Sequence, residues 1–422
     1  MFIYKLLSNL ASPIIFIFFV VRLIMTKESI KSVISKFVLY KKNRPNGNLI
    51  WINAVSIGEA KSAQSLAKEI HKNNPNAKIL FTTSTISSYK LMKNQKNNYY
   101  LFFSPIDIDF IIKRFLSLWN PNIVIFFESE IWPNVIHNLH IQNKKFIICN
   151  ARISENSYRN WRKVPIFYKT FFSKVGICFS QDKQSMIRFR KLGVRLVKMI
   201  GNIKFLENKL NINRFDFNKL KIQLRKKKTI TFFSSHPGED EIFIRVAKKL
   251  RDKLTDCFFI LIPRHQNRIE RICKYLTQTN FNFSLRSEKK NFNVNTNFFM
   301  VDTFGELGLF FKLSKIAIVG GSFVNIGGHN PIETKGLGCA LIFGPYMQNF
   351  QQIANKIIRN NAGYQVKNEF ELENKILFLM SYPENIIKAS RNFKKLCSEE
   401  NIKSKKVVKE INAHIRNAFK SS

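Results

Sequence analysis

The chain carries, at residues 316–333, the stretch IAIVGGSFVNIGGHNPIE, which predicts a strand, a glycine-rich loop and a helix start in that order. The apolar run Ile316–Val319 is typical of a short buried strand. Two glycine pairs follow and allow close approach of the backbone to a ligand, and Asn330 with Pro331 suits a helix N-cap and first turn. Free N–H groups at such a helix start attract phosphate, and Glu333, one turn further on, is suited to bind a sugar diol. We therefore predict a phosphate seat in an α/β fold.

Similar apolar runs alternate with helical segments along the whole chain, as expected for parallel βαβ units. Strands are predicted at residues 49–54, 78–82, 123–127, 145–150, 175–179, 229–234, 258–263, 316–319 and 340–343, with a helix at 60–73 and a long basic helix near 384–418. A length of 422 residues suits two domains of roughly 100–200 residues each. We predict two Rossmann-like domains facing a cleft, because ligands bind beyond the carboxyl ends of parallel strands.

The predicted boundaries follow the changes in composition. They are a membrane anchor at 1–28, an N-terminal domain at 29–205, a polar linker at 206–228 and a C-terminal domain with the basic helix at 229–422.

The N-terminus predicts a membrane anchor. Residues 2–25 are mostly apolar and have about the length of one span. No small-residue cleavage site follows, which favours an uncleaved anchor, and the basic residues between 27 and 44 place that side in the cytoplasm. Lys5 and Pro13 leave open a helix that lies in the membrane interface instead of spanning it.

The charge of the chain favours anionic partners. Its 69 basic and 28 acidic residues give +41, a field that attracts nucleic acid, phospholipid headgroups or phosphorylated substrates. The basic residues are spread along the chain and are not gathered with interleaved aromatics, which disfavours nucleic acid. Six scattered cysteines predict a reducing compartment without disulfides, and His137 and His140 have no further ligands spaced to complete a metal site.

Acidic residues follow two predicted strands of the first half. Glu59 stands after the strand at 49–54, where it can act as a general base or complement a helix dipole. Glu128 and Glu130 follow the strand at 123–127, and because two close carboxylates repel, we expect one to bond to the backbone or to a cation. Lys204, near the predicted linker, can balance charge on a leaving phosphate.

In the second half, three further strand ends carry polar or cationic groups. Arg264 follows the strand at 258–263 and can hold a phosphate in bidentate fashion, or serve as a surface ion-pair partner. The N–H near Gly305 can read a base edge, with Phe304 packed on the base. The segment 234–239 is predicted to be a further phosphate or sugar contact.

Together these motifs resemble the Kdo (3-deoxy-D-manno-octulosonic acid) transferases of Gram-negative lipopolysaccharide assembly. The resemblance spans nearly the whole chain in the family's order. Besides the anchor, the matching segments lie at residues 54–59, 128–134, 150–154, 201–205, 263–265, 302–307, 320–333, 344–345 and 349–350.

The resemblance implies an inverting, metal-independent GT-B glycosyltransferase that needs no cofactor. Its donor would be CMP-Kdo, and its acceptor the tetra-acylated, bis-phosphorylated lipid A precursor (lipid IVA) at the cytoplasmic side of the inner membrane. Glu59 would be the general base, and Glu130 and Lys204 would stabilise the transition state. The segments that match CMP-binding positions are Pro263, Arg264, Phe304, Gly305, Glu306, Asn330, Pro331, Ile332 and Glu333.

The chain departs from the family pattern at a few positions. Asn53 stands where a histidine is usual, Pro237 and Asp240 alter a His-Glu-Gly-Glu-Glu motif, and Lys335 replaces a small apolar residue. Two rival functions remain open at this level: a GT-B enzyme that glycosylates a lipid from UDP-N-acetylglucosamine, and a basic nucleic-acid-binding protein. The sequence leaves open how many Kdo residues are added and which of Glu128 and Glu130 has the chemical role.

Overall fold

The computed structural model describes residues 2–42, 44–93, 99–128, 130–199, 201–206, 210–288 and 296–420, with the side chains of 166 and 167 excepted. The chain forms two compact units. The first unit comprises Met1–Glu207 and Glu400–Ser422, and the second comprises Asn208–Glu399.

The first unit is built on a seven-stranded sheet in which every pair of neighbours is parallel. Its strands are β1 Leu49–Asn53, β2 Lys78–Thr83, β3 Tyr99–Phe103, β4 Ile123–Phe127, β5 Lys145–Ala151, β6 Ile177–Ser180 and β7 Val197–Lys198. The spatial order is β3-β2-β1-β4-β5-β6-β7, so the chain changes direction across the sheet between β1 and β4.

Both faces of this sheet are buried, which explains why its strands are continuous apolar runs. Alternate residues of β1 point to opposite sides: Trp51 belongs to one apolar cluster, whereas Ile50 and Ile52 belong to another. Helices cover the two clusters and connect the strands. They are α1 Phe2–Leu10, α2 Ser12–Ile24, α3 Ile30–Lys36, α4 Ile57–Asn73, α5 Ile86–Lys93, α6 Asp109–Trp119, α7 Pro133–Ile141, α8 Glu155–Arg162, α9 Pro165–Phe172 and α10 Lys183–Lys191, with a 3-10 turn at Ile203–Leu206.

The second unit contains another seven-stranded parallel sheet. Its strands are β8 Lys228–Ser235, β9 Cys257–Pro263, β10 Phe283–Leu285, β11 Phe298–Met300, β12 Ile316–Val319, β13 Ala340–Phe343 and β14 Tyr364–Gln365. The order β10-β11-β9-β8-β12-β13-β14 again changes direction between two central strands, β8 and β12.

The remaining helices begin in the second unit. They are α11 Arg214–Gln223, α12 Glu239–Lys253, α13 Ile269–Gln278, α14 Leu307–Leu313, α15 Gln351–Arg359, α16 Glu369–Ser381 and α17 Pro383–Lys420, with 3-10 turns at Gln266–Arg268, Pro331–Thr334 and Gln348–Phe350. Helices α12 and α16 bury Phe243, Leu250 and Ile376 against Phe232 and Ile318 of the sheet.

All nine predicted strands are confirmed within two residues at each end, and so is the basic C-terminal helix. The helix expected at 60–73 begins earlier, at Ile57, because Ser56 caps its first turn. Strands β3, β7, β10, β11 and β14 were not predicted. Strand β3 is mostly half-exposed, and the other four have only two or three residues each, which leaves little signal.

The domain boundaries differ from those predicted in two places. Residues 400–422, expected in the C-terminal domain, belong to the first unit. There Val407, Ile411 and Ile415 of α17 join the apolar cluster that contains Ile50 and Ile52. The expected linker at 206–228 contains α11, whose N-cap Asn213 accepts the N–H groups of residues 215 and 216, and most of it belongs to the second unit.

The predicted anchor is a broken helix. Within the described ranges, no single helix is long and apolar enough to cross a membrane; α1 and α2 pass that test only together, with a bend of 47° between them. Pro13 lies in the first turn of α2. Proline there has no N–H to donate and its ring clashes with the preceding turn, which accounts for the break.

Candidate functional site

Glu59 lies in the first turn of α4, directly beyond the carboxyl end of β1. The Ser56 hydroxyl donates to Glu59 Oε1 at 3.0 Å, and the Val55 N–H donates to Oε2 at 2.9 Å. The Glu59 N–H in turn donates to the Ser56 Oγ at 3.3 Å. This reciprocal cap orients the carboxylate between β1 and β4, where the strand order reverses. Parallel sheets bind ligands at such a reversal point.

The surroundings of Glu59 favour its protonated form. Burial, followed by the negative charge of Glu128, raises the pKa of Glu59 from 4.5 to about 7, with Glu130 contributing in the same direction. The hydrogen bonds from Val55 and Ser56 oppose this rise but do not cancel it. A carboxyl that titrates near neutral pH can take a proton from a substrate hydroxyl.

Glu128 forms an ion pair with Lys204. The two side chains are 2.8 Å apart between Oε1 and Nζ, and both are largely buried. Glu128 has a left-handed backbone, with φ of 53°, at the end of β4. Asn150 lies near the carboxyl end of the neighbouring strand β5. Its side-chain amide N–H donates to Glu128 Oε1 at 3.4 Å, and its Oδ1 accepts the N–H of Ile203 at 3.2 Å. One of the two neighbouring carboxylates was expected to bond to the backbone or to a cation, and Glu128 does so through Lys204.

Glu130 has a different partner. Its Oε2 accepts the indole N–H of Trp132 at 2.8 Å. Burial raises the pKa of Glu130, with the hydrogen bond from Trp132 lowering it and the charge of Glu128 raising it. Glu59, Glu128, Glu130 and Lys204 therefore form one acidic site with a single buried ion pair. We call it the acidic site.

At the matching point of the second unit, between β8 and β12, the site is made mainly of backbone. A Cβ on Gly320 would lie 2.3 Å from the carbonyl oxygen of Ser234 on the neighbouring strand, so only glycine fits there. The N–H of Gly328 donates to the carbonyl of Gly321 at 2.7 Å, and the N–H of His329 donates to that of Gly320 at 3.1 Å, which closes the loop on itself. We call residues 320–329 the glycine loop.

Glu239 holds the glycine loop from beneath, a role that sequence analysis missed. The side chain is fully buried, and its two oxygens accept the N–H groups of Gly321 at 2.6 Å, Phe323 at 2.9 Å and His236 at 2.9 Å. Burial raises its pKa against these bonds. The available signal was a carboxylate at the first residue of a helix after a strand, within the segment 234–239 that was predicted as a contact.

Two half-buried histidines lie side by side next to this loop, His329 at its end and His236 directly after β8. The rings of His236 and His329 are stacked, with centroids 5.0 Å apart and an angle of 7° between them, and their Nε2 atoms are 2.8 Å apart. Burial and the positive charges nearby lower the pKa of His236 to about 4. A neutral His236 can accept or donate a hydrogen bond at this edge.

The helix whose start was predicted to bind phosphate, at residues 330–333, is replaced in the structure by a short turn. Asn330 does cap the next segment, since its Oδ1 accepts the N–H of Ile332 at 3.1 Å. Pro331–Thr334 is, however, a single 3-10 turn. Glycines with positive φ at 336 and 338 follow directly and do not continue a helix, so no helix dipole forms there. Glu333 is half-buried on that turn.

The other predicted donor-side residues lie beyond neighbouring strands of the same sheet. Arg264 follows Pro263 at the end of β9, and its side chain is exposed. Phe304 is 77% exposed beside Gly305, whose φ is 85°. The loop that carries them contacts the Arg264 region, because Gln266 donates to the carbonyl of Asp302 at 2.6 Å.

Glu306 is engaged within the unit. Arg286 donates to its carboxylate at 2.6 Å and also to Asp216 at 2.8 Å, and the Thr303 hydroxyl donates to it as well. Burial alone would raise the pKa of Glu306, but the hydrogen bonds from Arg286 and Thr303 hold it below its ordinary value. Glu306 thus shapes the loop around Gly305.

Across the described ranges, no group of three or more histidine, cysteine or acidic side chains is arranged to hold a metal ion.

Solved structures with the same architecture exist. The chain is similar to the UDP-GlcNAc 2-epimerase from Neisseria meningitidis bound to UDP-GlcNAc, with a TM-score of 0.58 at 14% identity over 86% of this chain and 99% of that one. A putative UDP-N-acetylglucosamine 2-epimerase from Listeria monocytogenes matches with a TM-score of 0.58 at 12% identity over 87% and 97%. At these identities the likeness shows the fold, which is the GT-B fold of glycosyltransferases and related epimerases.

Sequence relatives narrow this class. The 3-deoxy-D-manno-octulosonic acid transferase of Rickettsia bellii is 34% identical over 94% of this chain and 97% of its own length. That of Haemophilus influenzae is 31% identical over 80% of each chain. The family profile described as 3-Deoxy-D-manno-octulosonic-acid transferase (kdotransferase) matches residues 31–207. The chain belongs to the 3-deoxy-D-manno-octulosonic acid (Kdo) transferase family and is a glycosyltransferase, as the motifs predicted.

Proposed function

We propose that this protein transfers Kdo from CMP-Kdo to a phosphorylated lipid A precursor, lipid IVA, with inversion at the anomeric carbon and CMP as leaving group. The observation that carries the proposal is the Glu59 carboxyl, capped in place beyond β1 and with a pKa raised to about 7. This is the protonation behaviour that a general base needs at neutral pH.

In this mechanism Glu59 accepts the proton of the acceptor's primary hydroxyl. The hydroxyl oxygen forms a bond to the anomeric carbon of Kdo while the bond from that carbon to the CMP phosphate oxygen breaks. The electron pair leaves with CMP. Glu128 and Glu130 favour proton uptake by Glu59, because their negative charges raise its pKa.

Lys204 and Glu130 stabilise charge as the transition state forms. Glu128 holds the Lys204 ammonium at 2.8 Å and so limits its movement. An ammonium fixed in advance offsets developing negative charge without reorganisation. Glu130, held by the Trp132 indole, is suited to positive charge at the anomeric carbon.

The second unit binds the donor. Arg264 is exposed and offers a bidentate contact to the CMP phosphate. Pro263 and the turn Asn330, Pro331, Ile332 and Glu333 complete the phosphate and ribose contacts, while Phe304, Gly305 and Glu306 form the base side. No metal or other cofactor takes part in this scheme, because Arg264 and Lys204 supply the positive charge.

The protein works at the cytoplasmic face of the inner membrane, where it meets its lipid acceptor. Support comes from α1 and α2, whose exposed apolar side chains include Phe2, Ile3, Ile14 and Ile17. Basic residues follow directly after α2, and anionic lipid attracts such segments. The bent pair suits either a broken membrane span or a segment that lies in the membrane interface, and both arrangements leave the two units in the cytoplasm.

The test is the mass of the product. Purified protein in detergent is incubated with CMP-Kdo and lipid IVA, and parallel samples receive UDP-N-acetylglucosamine or no donor. We expect lipid heavier by one or more Kdo units, equimolar CMP release, and thermal stabilisation by CMP but not by UDP. Unchanged lipid in folded protein would overturn the proposal, and stabilisation by UDP alone would indicate the rival donor.

A further inference from the structure

Helix α1 turns its polar side toward the rest of the first unit and its apolar side away. Tyr4, Lys5 and Ser8 lie on one side of the helix, as the spacing i, i+1, i+4 requires. The opposite side is exposed, to 78% at Phe2 and 66% at Leu10. An amphipathic helix packed on a core normally shows the reverse, so polar contacts attach α1 to the unit.

The polar side chains of α1 contact Asp107, which precedes α6, and Asn134, in the first turn of α7. The Tyr4 hydroxyl donates to Asp107 Oδ2 at 3.1 Å. The Asn134 amide donates to Ser8 Oγ at 3.1 Å and to the backbone carbonyl of Asp107 at 2.7 Å. Beside them, Lys5 Nζ lies 3.3 Å from Asp109 Oδ1. Asp107 and the α7 residue Asn134 therefore connect α1 to the start of α7.

Asp107 caps α7 from outside that helix. Its Oδ1 accepts the N–H of Val135 at 3.0 Å, and its Oδ2 accepts the N–H of Asn134 at 3.2 Å. The residue in the N-cap position, Trp132, makes no side-chain cap. The first-turn N–H groups of a helix need an acceptor, and here Asp107 supplies it.

The start of α7 fixes the segment that carries Glu130. Trp132 is the N-cap residue of α7, and its indole N–H holds Glu130 Oε2 at 2.8 Å. A shift of the first turn therefore moves the indole, and with it the carboxylate.

We propose that Asp107 and Tyr4 are positioning residues: they join the membrane-facing helix α1 to the start of α7 and so set the position of Glu130 for catalysis. The inference rests on the proposed function, in which Glu130 stabilises the transition state. Neither residue is among the groups assigned above to catalysis or to donor binding. The link between α1 and the catalytic carboxylate runs through the first turn of α7. Asp107 joins Tyr4 to the first N–H groups of that turn, and the N-cap residue Trp132 joins the turn to Glu130.

The test measures turnover in detergent, where attachment to a bilayer does not limit the rate. Asp107→Asn keeps the size of the side chain but loses an oxygen acceptor, and Tyr4→Phe loses only the hydroxyl. We expect Asp107→Asn to lower kcat about tenfold, since small misplacements of a catalytic group are costly. The KM for CMP-Kdo should not change. Leu7→Ala, on the exposed side of α1, is the matched control and should keep the wild-type kcat.

Double mutants separate positioning from a general loss of stability. Tyr4→Phe should lower kcat less than Asp107→Asn, and the pair together should be no worse than Asp107→Asn alone, because both act through one network. In a Glu130→Gln background, Asp107→Asn should cause no further loss. A full multiplicative loss in that background, or a wild-type kcat for Tyr4→Phe, overturns the inference.

Amide hydrogen exchange gives a reading that does not depend on activity. Asp107→Asn and Tyr4→Phe should both speed exchange at Asn134 and Val135, with residues of β9 unaffected. Unchanged exchange at Asn134 and Val135 overturns the inference. If the wild-type protein transfers no Kdo, the proposed function fails, and the exchange result alone then decides whether the network exists.

Discussion

In both sheets the order of strands reverses between two central strands, β1 and β4 in the first unit and β8 and β12 in the second. The groups that follow those strands nevertheless differ between the two units. Beyond β1 and β4, the acidic site presents side chains: Glu59, Glu128 and Glu130, with Lys204 as the ion-pair partner of Glu128. Beyond β8 and β12, the glycine loop presents backbone. There the carboxylate of Glu239 is fully buried and is used to hold that backbone in place.

The comparison shows that the same topology can serve two purposes. Ionisable groups with raised pKa values, half-exposed at the edge of a sheet, are suited to proton transfer. A rigid loop rich in glycine is suited to binding, because its backbone can approach a ligand closely and does not change its charge. The proposed function accordingly places chemistry in the first unit and donor binding in the second, and four experiments test that division.

The largest effect is expected from Glu59→Gln. Removal of a general base typically costs about 10²- to 10⁴-fold in rate, and nucleotide affinity should not change if binding belongs to the second unit. Initial rates of Kdo transfer and calorimetric titration with CMP measure the two quantities. Glu69→Gln, in the same helix and paired with exposed Lys72, is the control and should behave as wild type. A near-normal rate for Glu59→Gln would contradict the division.

The pH profile tests the same group without a mutation. Because the pKa of Glu59 is raised to about 7, the base is neutral below that pH, and the rate should fall about tenfold per pH unit on the acid side. The raised pKa also means that the folded state favours the neutral form. The resulting stability is present below pH 4.5 and is lost as pH rises through about 7, and Glu59→Gln should remove this loss. An acid limb centred near 4.5 would contradict the assignment.

Glu239→Gln should weaken nucleotide binding and stability together. The amide nitrogen of glutamine would face a backbone N–H of the glycine loop, and a buried unsatisfied group costs about 1–3 kcal/mol. We expect a lower melting temperature and a Kd for CMP raised about tenfold. Glu241→Gln, two residues along α12 and more exposed, is the matched control. Unchanged CMP affinity in folded Glu239→Gln protein would remove the glycine loop from the donor site.

The smallest effect is expected from Arg264→Ala. Loss of a charge-assisted contact to phosphate should raise the Kd for CMP up to about tenfold. The melting temperature should not change, because the side chain is exposed. Arg271→Ala removes another exposed arginine, paired with Glu241, and should leave CMP affinity as it is. Equal affinities for both variants would exclude Arg264 from the donor site.

Much of the fold was predictable because the central strands are continuous apolar runs that are buried on both faces. Leu49–Asn53, Ile123–Phe127 and Ile316–Val319 have no polar residue before their last position, and such runs are uncommon outside parallel sheets. The short strands β7 and β14, with two residues each, were not predictable, because their position depends on the neighbours that pair with them.

The sequence by itself determined the class of fold, the family and which strand ends carry acids or glycines, because hydrophobic period and motif order are local properties of the chain. Only the tertiary structure decided the partners: Lys204 with Glu128, Trp132 with Glu130, and Glu239 beneath the glycine loop. It also decided that residues 400–422 complete the first unit and that Pro331–Thr334 is a single turn. Such pairings join residues far apart in the chain, and their energy depends on burial and distance, which no local pattern records.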